Sequence, residues 1–387
     1  MGLSALFIFF LLGFTMEKLV DLNLSEGESA QMFPKIFKVN KDVFLLLGCY
    51  YFNKNRENRG RLIVLRKKQK IIDVKIPSPI YYGFSPINDT LIVVGDRECN
   101  IYLYNISGRL LKRKSLEGPP IYDVRVNENV IFYQKYQISV LSNEDLKVIR
   151  KLEFHPSTYS DALVYRIFNN KLYIQQGRNG NFLLCCSLSN TNAFWKVDLG
   201  MKNFVILGLL PAPRIISSID FIGNNLYAGT MIGDMIVMKS EGKILHSASV
   251  ARGLIIKAIR ELSHEILLVD TYEGILFGID KKTMQRVWEF KMEGQSGEPS
   301  LVLKVAGLIL PVDAKGNIYI LDFNGRLREK IKIDDTFDNA GYLLAGDVDE
   351  DRMIELVLKG SLKGRIYMVD TEFPCRRNEI IRGDRND

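Results

Sequence analysis

A short apolar strand, a turn rich in Gly, Asn or Asp, and an alternating strand of the form I-Y-x-L-D recur eight times along the 387 residues. Anchored on the alternating strand, successive copies lie 37 to 53 residues apart, about 43 on average. Four strands of about five residues with short hairpin loops need that much chain. Helix signals are nearly absent: no long 3.6-residue period and almost no capping box occur between the copies. These observations predict an all-β chain folded as a single eight-bladed β-propeller, in which radial repetition buries strand faces between neighbouring blades. A seven-bladed ring is the alternative if the 53-residue step hides a merged unit.

Taken in chain order, the first element is an apolar run over residues 3–14, LSALFIFFLLGF. It is shorter than the roughly 20 residues that span a bilayer, and no basic residue precedes it. Three readings stay open: an export signal or membrane tether, a translation start at Met16, or a folded strand. The first slightly favours an exported or tethered protein over a cytoplasmic one. Residues 17–24, EKLVDLNL, alternate with Val20, Leu22 and Leu24 on one face and Asp21 and Asn23 on the other. The last unit supplies only three strands, over 342–348, 353–359 and 365–370, before a basic, polar tail at 375–387. The lone N-terminal strand is therefore predicted to pair as the outer strand of the last blade and so close the ring, giving a propeller over 16–374.

The eight copies are anchored at Leu62, Ile101, Ile138, Phe182, Met235, Ile275, Ile318 and Ile366. The clearest are GNIYILDFNGRL from Gly316, GRIYMVD from Gly364, GILFGIDKKTMQRVW from Gly274 and NIYLYNISGRL from Asn100. In the copy at Gly274, the stretch G-I-D-K-K-T-M-Q-R-V-W resembles the tryptophan-docking repeat of the quinoprotein-type propellers. Gly278, Asp280, Thr283 and Trp288 take the family's places, and Met284 stands where the family prefers glycine. The resemblance implies that Trp288 packs across to the next blade while Asp280 and Thr283 hold the turn. Asp322 with Gly325, and Asn105 with Gly108, repeat that turn, and Trp195 sits at a comparable position. Many members of this superfamily are pure interaction scaffolds, so the motif speaks for fold more than activity.

AGDVDEDRMIELVL, from Ala345, is similar to the FG-GAP propeller repeat, whose loop D-x-D-x-D-G-x-x-D binds calcium. The resemblance implies metal ligands at Asp347, Asp349, Asp351 and Glu355, with the Met353 carbonyl between, because hard oxygens in a tight loop suit Ca²⁺. Arg352 replaces the family's glycine, and the alternative is a carboxylate cluster neutralised by Arg352 or nearby lysines. Such a site, a structural Ca²⁺ at most, would brace a hairpin rather than perform chemistry.

Charge is distributed unevenly. Residues 1–116 carry 18 Lys and Arg against 10 Asp and Glu, so this third holds the whole excess of the +7 chain. Its densest part is NKNRENRGRLIVLRKKQK, residues 53–70, and Arg56, Arg59, Arg61, Arg66, Lys67 and Lys68 make it the expected partner-facing patch. An acidic protein or a membrane surface would match it. Nucleic acid is not expected, since no aromatic interleaving or reader motif accompanies the charge.

Composition excludes other classes. Hydrophobic and charged fractions of 47% and 25% are globular, and five cysteines are too few for a disulfide scaffold. The adjacent Cys185 and Cys186 lie in an alternating strand, one expected inward and one outward, and read as small hydrophobes rather than a cofactor-facing pair. His155, His246 and His264 stand without a nucleophile motif and read as surface or hairpin residues. Glycines fall singly at turns, not in a phosphate loop. Arg382-Gly383-Asp384 and the sequons at Asn23, Asn88 and Asn105 read as chance. The expected function is a non-catalytic, monomeric binding scaffold for a protein partner, with no cofactor. A cofactor- or metal-dependent enzyme acting at the channel mouth and an envelope-anchored assembly factor are the alternatives.

Overall fold

The structure is a computed structural model, and it describes residues 15–374 apart from 25–27, 40–41, 54–58, 127, 135–136, 154–163, 170, 177–180, 189–192, 204–210, 297, 333–342 and 360–363. The tail at 375–387 and the apolar run at 3–14, with the readings attached to them, lie outside the described residues. Every regular element described is a β-strand, and the strands form eight four-stranded sheets and one two-stranded hairpin. The fold is an eight-bladed β-propeller, as the repeat spacing predicts. No helix among the described residues is long and apolar enough to cross a membrane.

Two compact units are distinguished, one of residues 1–151 with 333–383 and one of 152–332 with 384–387. In the first, blade 1 comprises β2 (Glu28–Val39), β3 (Asp42–Asn53), β4 (Arg59–Arg66) and β5 (Gln69–Ile76). Blade 2 comprises β6 (Phe84–Pro86), β7 (Leu91–Gly95), β8 (Asn100–Asn105) and β9 (Leu110–Ser115). Blade 3 comprises β10 (Ile121–Val126), β11 (Val130–Gln134), β12 (Gln137–Leu141) and β13 (Val148–Glu153). Blade 8 takes β32 (Leu343–Gly346), β33 (Met353–Lys359) and β34 (Arg365–Pro374) from the end of the chain and β1 (Thr15–Asp21) from its beginning.

β1 pairs antiparallel with β34 from Thr15↔Asp370 to Asp21↔Arg365, with Leu19 as an extra, bulged residue. The expected strand at 17–24 thus runs two residues earlier and stops at Asp21. It stops there because Asn23 takes a left-handed φ of 48°, its N–H bound to the Asp21 carboxylate at 2.9 Å. Leu22 still donates its N–H to the Gly364 carbonyl, 3.1 Å away. Leu19, Val20 and Leu22 pack on the core between blades 8 and 1, where Leu45, Leu47 and Ile63 meet Leu344, Val357 and Met368. Burying such side chains from both ends of the chain supplies the driving force for closure.

In the second unit, blade 4 comprises β14 (Tyr165–Phe168), β15 (Lys171–Gln176), β16 (Phe182–Ser187) and β17 (Ala193–Asp198). Blade 5 comprises β20 (Ile216–Ile222), β21 (Asn225–Thr230), β22 (Asp234–Lys239) and β23 (Ile244–Ser249). Blade 6 comprises β24 (Ile256–Glu261), β25 (Ile266–Thr271), β26 (Ile275–Asp280) and β27 (Arg286–Lys291). Blade 7 comprises β28 (Leu301–Leu303), β29 (Leu308–Leu310), β30 (Asn317–Asp322) and β31 (Leu327–Lys332). The hairpin of β18 (Met201–Asn203) and β19 (Pro211–Pro213) lies between blades 4 and 5 in sequence, and it accounts for the 53-residue step without a merged unit.

The Trp-docking reading holds in detail. Asp280 Oδ1 accepts the N–H of Lys282, the N–H of Thr283 and the Thr283 hydroxyl. Met284 takes the family glycine's place and its left-handed backbone too, at φ 58°. A second turn device was not singled out from the sequence. Asp96 and Asp313 each accept from an Asn four residues on and a Tyr six residues on, pinning the second hairpins of blades 2 and 7.

The outermost strands share a further feature. One extra residue bulges from β5, β9, β17, β23, β27 and β31, at Ile71, Leu111, Phe194, Leu245, Val287 and Arg328. A free strand edge is a template for unwanted pairing, and bulges together with lysine-rich sequences such as LLKRKS and LREKIK blunt it.

Candidate functional site

The basic run and the acidic loop come together where blade 8 meets blade 1. Lys67 and Lys68 form the tip of the β4–β5 hairpin, both in left-handed backbone. Lys67 pairs with Glu350 at 2.8 Å. Lys68 Nζ lies 2.9 Å from Asp349, 3.2 Å from Glu17 and 3.4 Å from Asp370. One ammonium thereby joins the hairpin to the N-terminal strand, the last strand and the acidic loop. Partial burial works against its charge, but the Asp349, Glu17 and Asp370 carboxylates hold the Lys68 ammonium well above its ordinary value. Burial likewise opposes ionisation of Glu350, and Lys67 outweighs it, drawing that carboxyl below the usual range.

The other members of the expected patch are placed as follows. Arg61 grips both oxygens of Asp73, at 2.5 and 2.7 Å, and donates to the Tyr51 hydroxyl at 3.0 Å. Arg66 pairs with Asp42. Arg59 is exposed at the start of β4, and Arg56 lies outside the described residues. Arg61, Arg66, Lys67 and Lys68 therefore have carboxylates of this chain as partners.

The acidic loop between β32 and β33 is tied by its own side chains. Asp347 accepts from the Arg352 N–H at 3.3 Å, Asp349 from Asp351 at 3.2 Å, and Asp351 from Met353 at 2.7 Å. Arg352, in the place of the family's glycine, adopts a left-handed φ of 75°, so the bend forms without glycine. Oxygens of Asp347, Asp349 and Asp351 converge within 4.8 Å, and so do those of Asp349, Glu355 and Asp370. Glu355 is only 1% exposed. Its Oε2 accepts the Val348 N–H, while its Oε1 has no hydrogen-bond partner. Burial, reinforced by Asp349, Asp351 and Asp347 and opposed by the Val348 N–H, pushes the Glu355 carboxyl up to about 8. Burial also raises Asp347. Either a proton or a cation would satisfy the unpartnered oxygen, and an all-oxygen donor set suits a hard cation. Asp370 and Glu17 escaped the sequence reading because no loop motif contains them.

A third cluster also went unannounced. The Tyr81 ring stacks on Tyr122 with centroids 5.7 Å apart and planes 8° from parallel. Phe33 and Tyr50 meet it edge-on at 5.3 and 5.7 Å, and the Arg97 guanidinium lies 5.2 Å from its centroid. Its members come from β2, β3, the β5–β6 connection, the β7–β8 turn and β10, so no local pattern links them.

The remaining candidates take ordinary places. His246 and His264 are exposed, and His155 lies outside the described residues. Cys185 and Cys186 are both buried as free thiols, which corrects the expected inward–outward alternation. The correction has a simple cause: a blade is covered on both faces, so a middle strand has no outward side.

The sequence matches no model of a protein family and no curated protein. Among solved structures it is similar to BamB from Moraxella catarrhalis, at 13% identity and a TM-score of 0.66 over 92% of this chain and 100% of that one. It is also similar to the C-terminal WD40 domain of Sif2, at 13% identity and a TM-score of 0.64 over 92% and 98%. Sqt1 from Saccharomyces cerevisiae aligns at 11% identity and a TM-score of 0.64 over 90% and 97%. At such identities the likeness is one of fold.

Proposed function

We propose that this chain is a non-catalytic binding platform for a protein partner. What supports the reading most is the use made of buried ionisable groups. Lys35, 3% exposed, pairs with Asp123 at 2.5 Å and donates to the Tyr82 carbonyl. Asp270 accepts the Ser300 N–H and hydroxyl, each at 2.8 Å, and Asp96 and Asp313 hold turns. Each of these groups braces the fold, and Glu355, whose Oε1 has no partner, is set apart from them. The likeness of fold to BamB and to a WD40 domain agrees with a platform. On this reading the hairpin cations hold blade 1 to blade 8, and reversing them loosens that join. Crosslinking in the host followed by mass spectrometry tests the platform. A stoichiometric second polypeptide is expected, and a small-molecule cofactor with no polypeptide would contradict it.

A second reading rests on Glu355 Oε1, buried without a partner among converging acids. Here Asp347, Asp349, Asp351 and Glu355 hold a divalent cation such as Ca²⁺ that braces the loop. Calcium should then raise the melting temperature of the protein over that in chelator, and Asp349→Asn should abolish the increment. Equal melting with and without calcium would dismiss this reading.

A further inference from the structure

We infer that the surface around Tyr81 docks an extended acidic segment of a protein partner, with an apolar side chain on the tyrosine rings and a carboxylate on Arg97. The inference rests on the platform reading and names the surface and the partner chemistry that reading leaves open.

Aromatic pairs stabilise a fold by themselves, by about 0.5–1.5 kcal/mol each, so stacking alone proves no site. Exposure is the first sign of more. Tyr122 is 39% exposed, at the register break near the start of β10 that turns its side chain out of the sheet's pairing. A large ring presented beside an arginine is the combination that anchors protein interfaces.

Rigidity is the second sign. The connection carrying Tyr81 is clamped to the neighbouring blade by two backbone bonds, Gly95 N–H to the Gly83 carbonyl at 2.5 Å and Arg97 N–H to the Pro79 carbonyl at 3.0 Å. The approach is close enough to demand glycine: a Cβ on Gly83 would sit 2.4 Å from the Gly95 carbonyl oxygen, and one on Gly48 2.6 Å from that of Tyr81. A surface fixed in advance loses little entropy on binding.

Charge selects the partner. Lys359 Nζ lies 4.8 Å from the Phe33 centroid and Lys35 Nζ 5.1 Å from that of the buried Phe84. Asp123 neutralises Lys35. Arg97 pairs with no carboxylate among the described residues. Of the acids beside it in sequence, Asp96 is buried and bound to Asn100 and Tyr102, and Glu98 is exposed. The surface is therefore apolar in contact with Arg97 as its cation, which favours an apolar segment that brings a carboxylate to that guanidinium over a basic one.

Fluorescence anisotropy on the full chain at low salt tests this. The probe is a labelled twelve-residue peptide alternating Asp with Phe or Leu, and the control carries Lys for every Asp. The acidic probe should bind about tenfold more tightly than the control. Arg97→Glu and Tyr122→Ser, both at exposed or part-exposed side chains, should each weaken it about tenfold while the chain stays folded and unfolds cooperatively. Equal binding of the two peptides, or variants that bind like the parent, would overturn the inference. In the host, a crosslinked partner retained by both variants overturns this site but spares the platform. Absence of any crosslinked polypeptide sinks the platform itself.

Discussion

The indole N–H of Trp288 in blade 6 donates to the carbonyl of Phe323 in blade 7 at 3.0 Å. Its ring lies so flat on the following turn that a Cβ at Gly325 would come within 2.5 Å of it. Trp195 repeats the arrangement one pair of blades earlier, donating to the Ser240 carbonyl at 2.9 Å and covering Gly242. Tryptophan on an outer strand and glycine on the next turn thus form one inter-blade joint, made twice.

Trp288→Ala should cost about 3 kcal/mol, the low end for a buried aromatic because the ring is partly exposed. Trp288→Phe should cost about 1 kcal/mol for the lost hydrogen bond. Gly325→Ala combines a clash with a φ of 73° and should also destabilise. Urea unfolding of the three variants checks the order, and a neutral Gly325→Ala would remove the joint from the account.

The closing strand gives a second expectation. Removing residues 17–24 takes Leu19, Val20 and Leu22 from the core between blades 8 and 1 and leaves β34 with an open edge. Cooperative unfolding should collapse into a broad transition. An unchanged midpoint would mean that the ends of the chain do not close the fold.

Lys68→Met removes one ammonium shared by Asp349, Glu17 and Asp370. Three acids then face one another without their counter-ion, and the melting temperature should fall, most at low ionic strength where screening is weakest. The same change at the exposed Lys70, which pairs locally with Asp73, should matter far less. Equal effects would deny Lys68 its bridging part.

Glu355 predicts a pH dependence. Its folded carboxyl titrates near 8, above the ordinary glutamate value of 4.5. Below that ordinary value both folded and unfolded chains hold the proton, and the group is neutral to stability. Between the two values only the folded chain holds it, so stability falls as pH rises, and it levels off above the folded value. Glu355→Gln should flatten this fall between about pH 5 and 8. A parent profile already flat there would contradict the raised carboxyl.

Much of the fold was legible in the sequence. All eight anchors, from Leu62 to Ile366, fall on the third strand of their blades, because that strand is largely buried and reads as an apolar run just after a tight turn. Asp280, Thr283 and Trp288 were legible because a turn and its neighbour are local. What stayed hidden is long-range. Lys68 and Asp370 are 302 positions apart, so the basic run reads as a free patch until its acids are placed beside it. Tyr81 and Tyr122 sit in different blades, and nothing in either stretch announces the other.

Native mass spectrometry of the protein isolated from its own host, with chelators omitted, tests the platform most directly. The account predicts a complex of this chain with a second polypeptide in fixed ratio, lost in the Arg97→Glu, Tyr122→Ser double variant. A chain that carries a small-molecule cofactor and no polypeptide would contradict it.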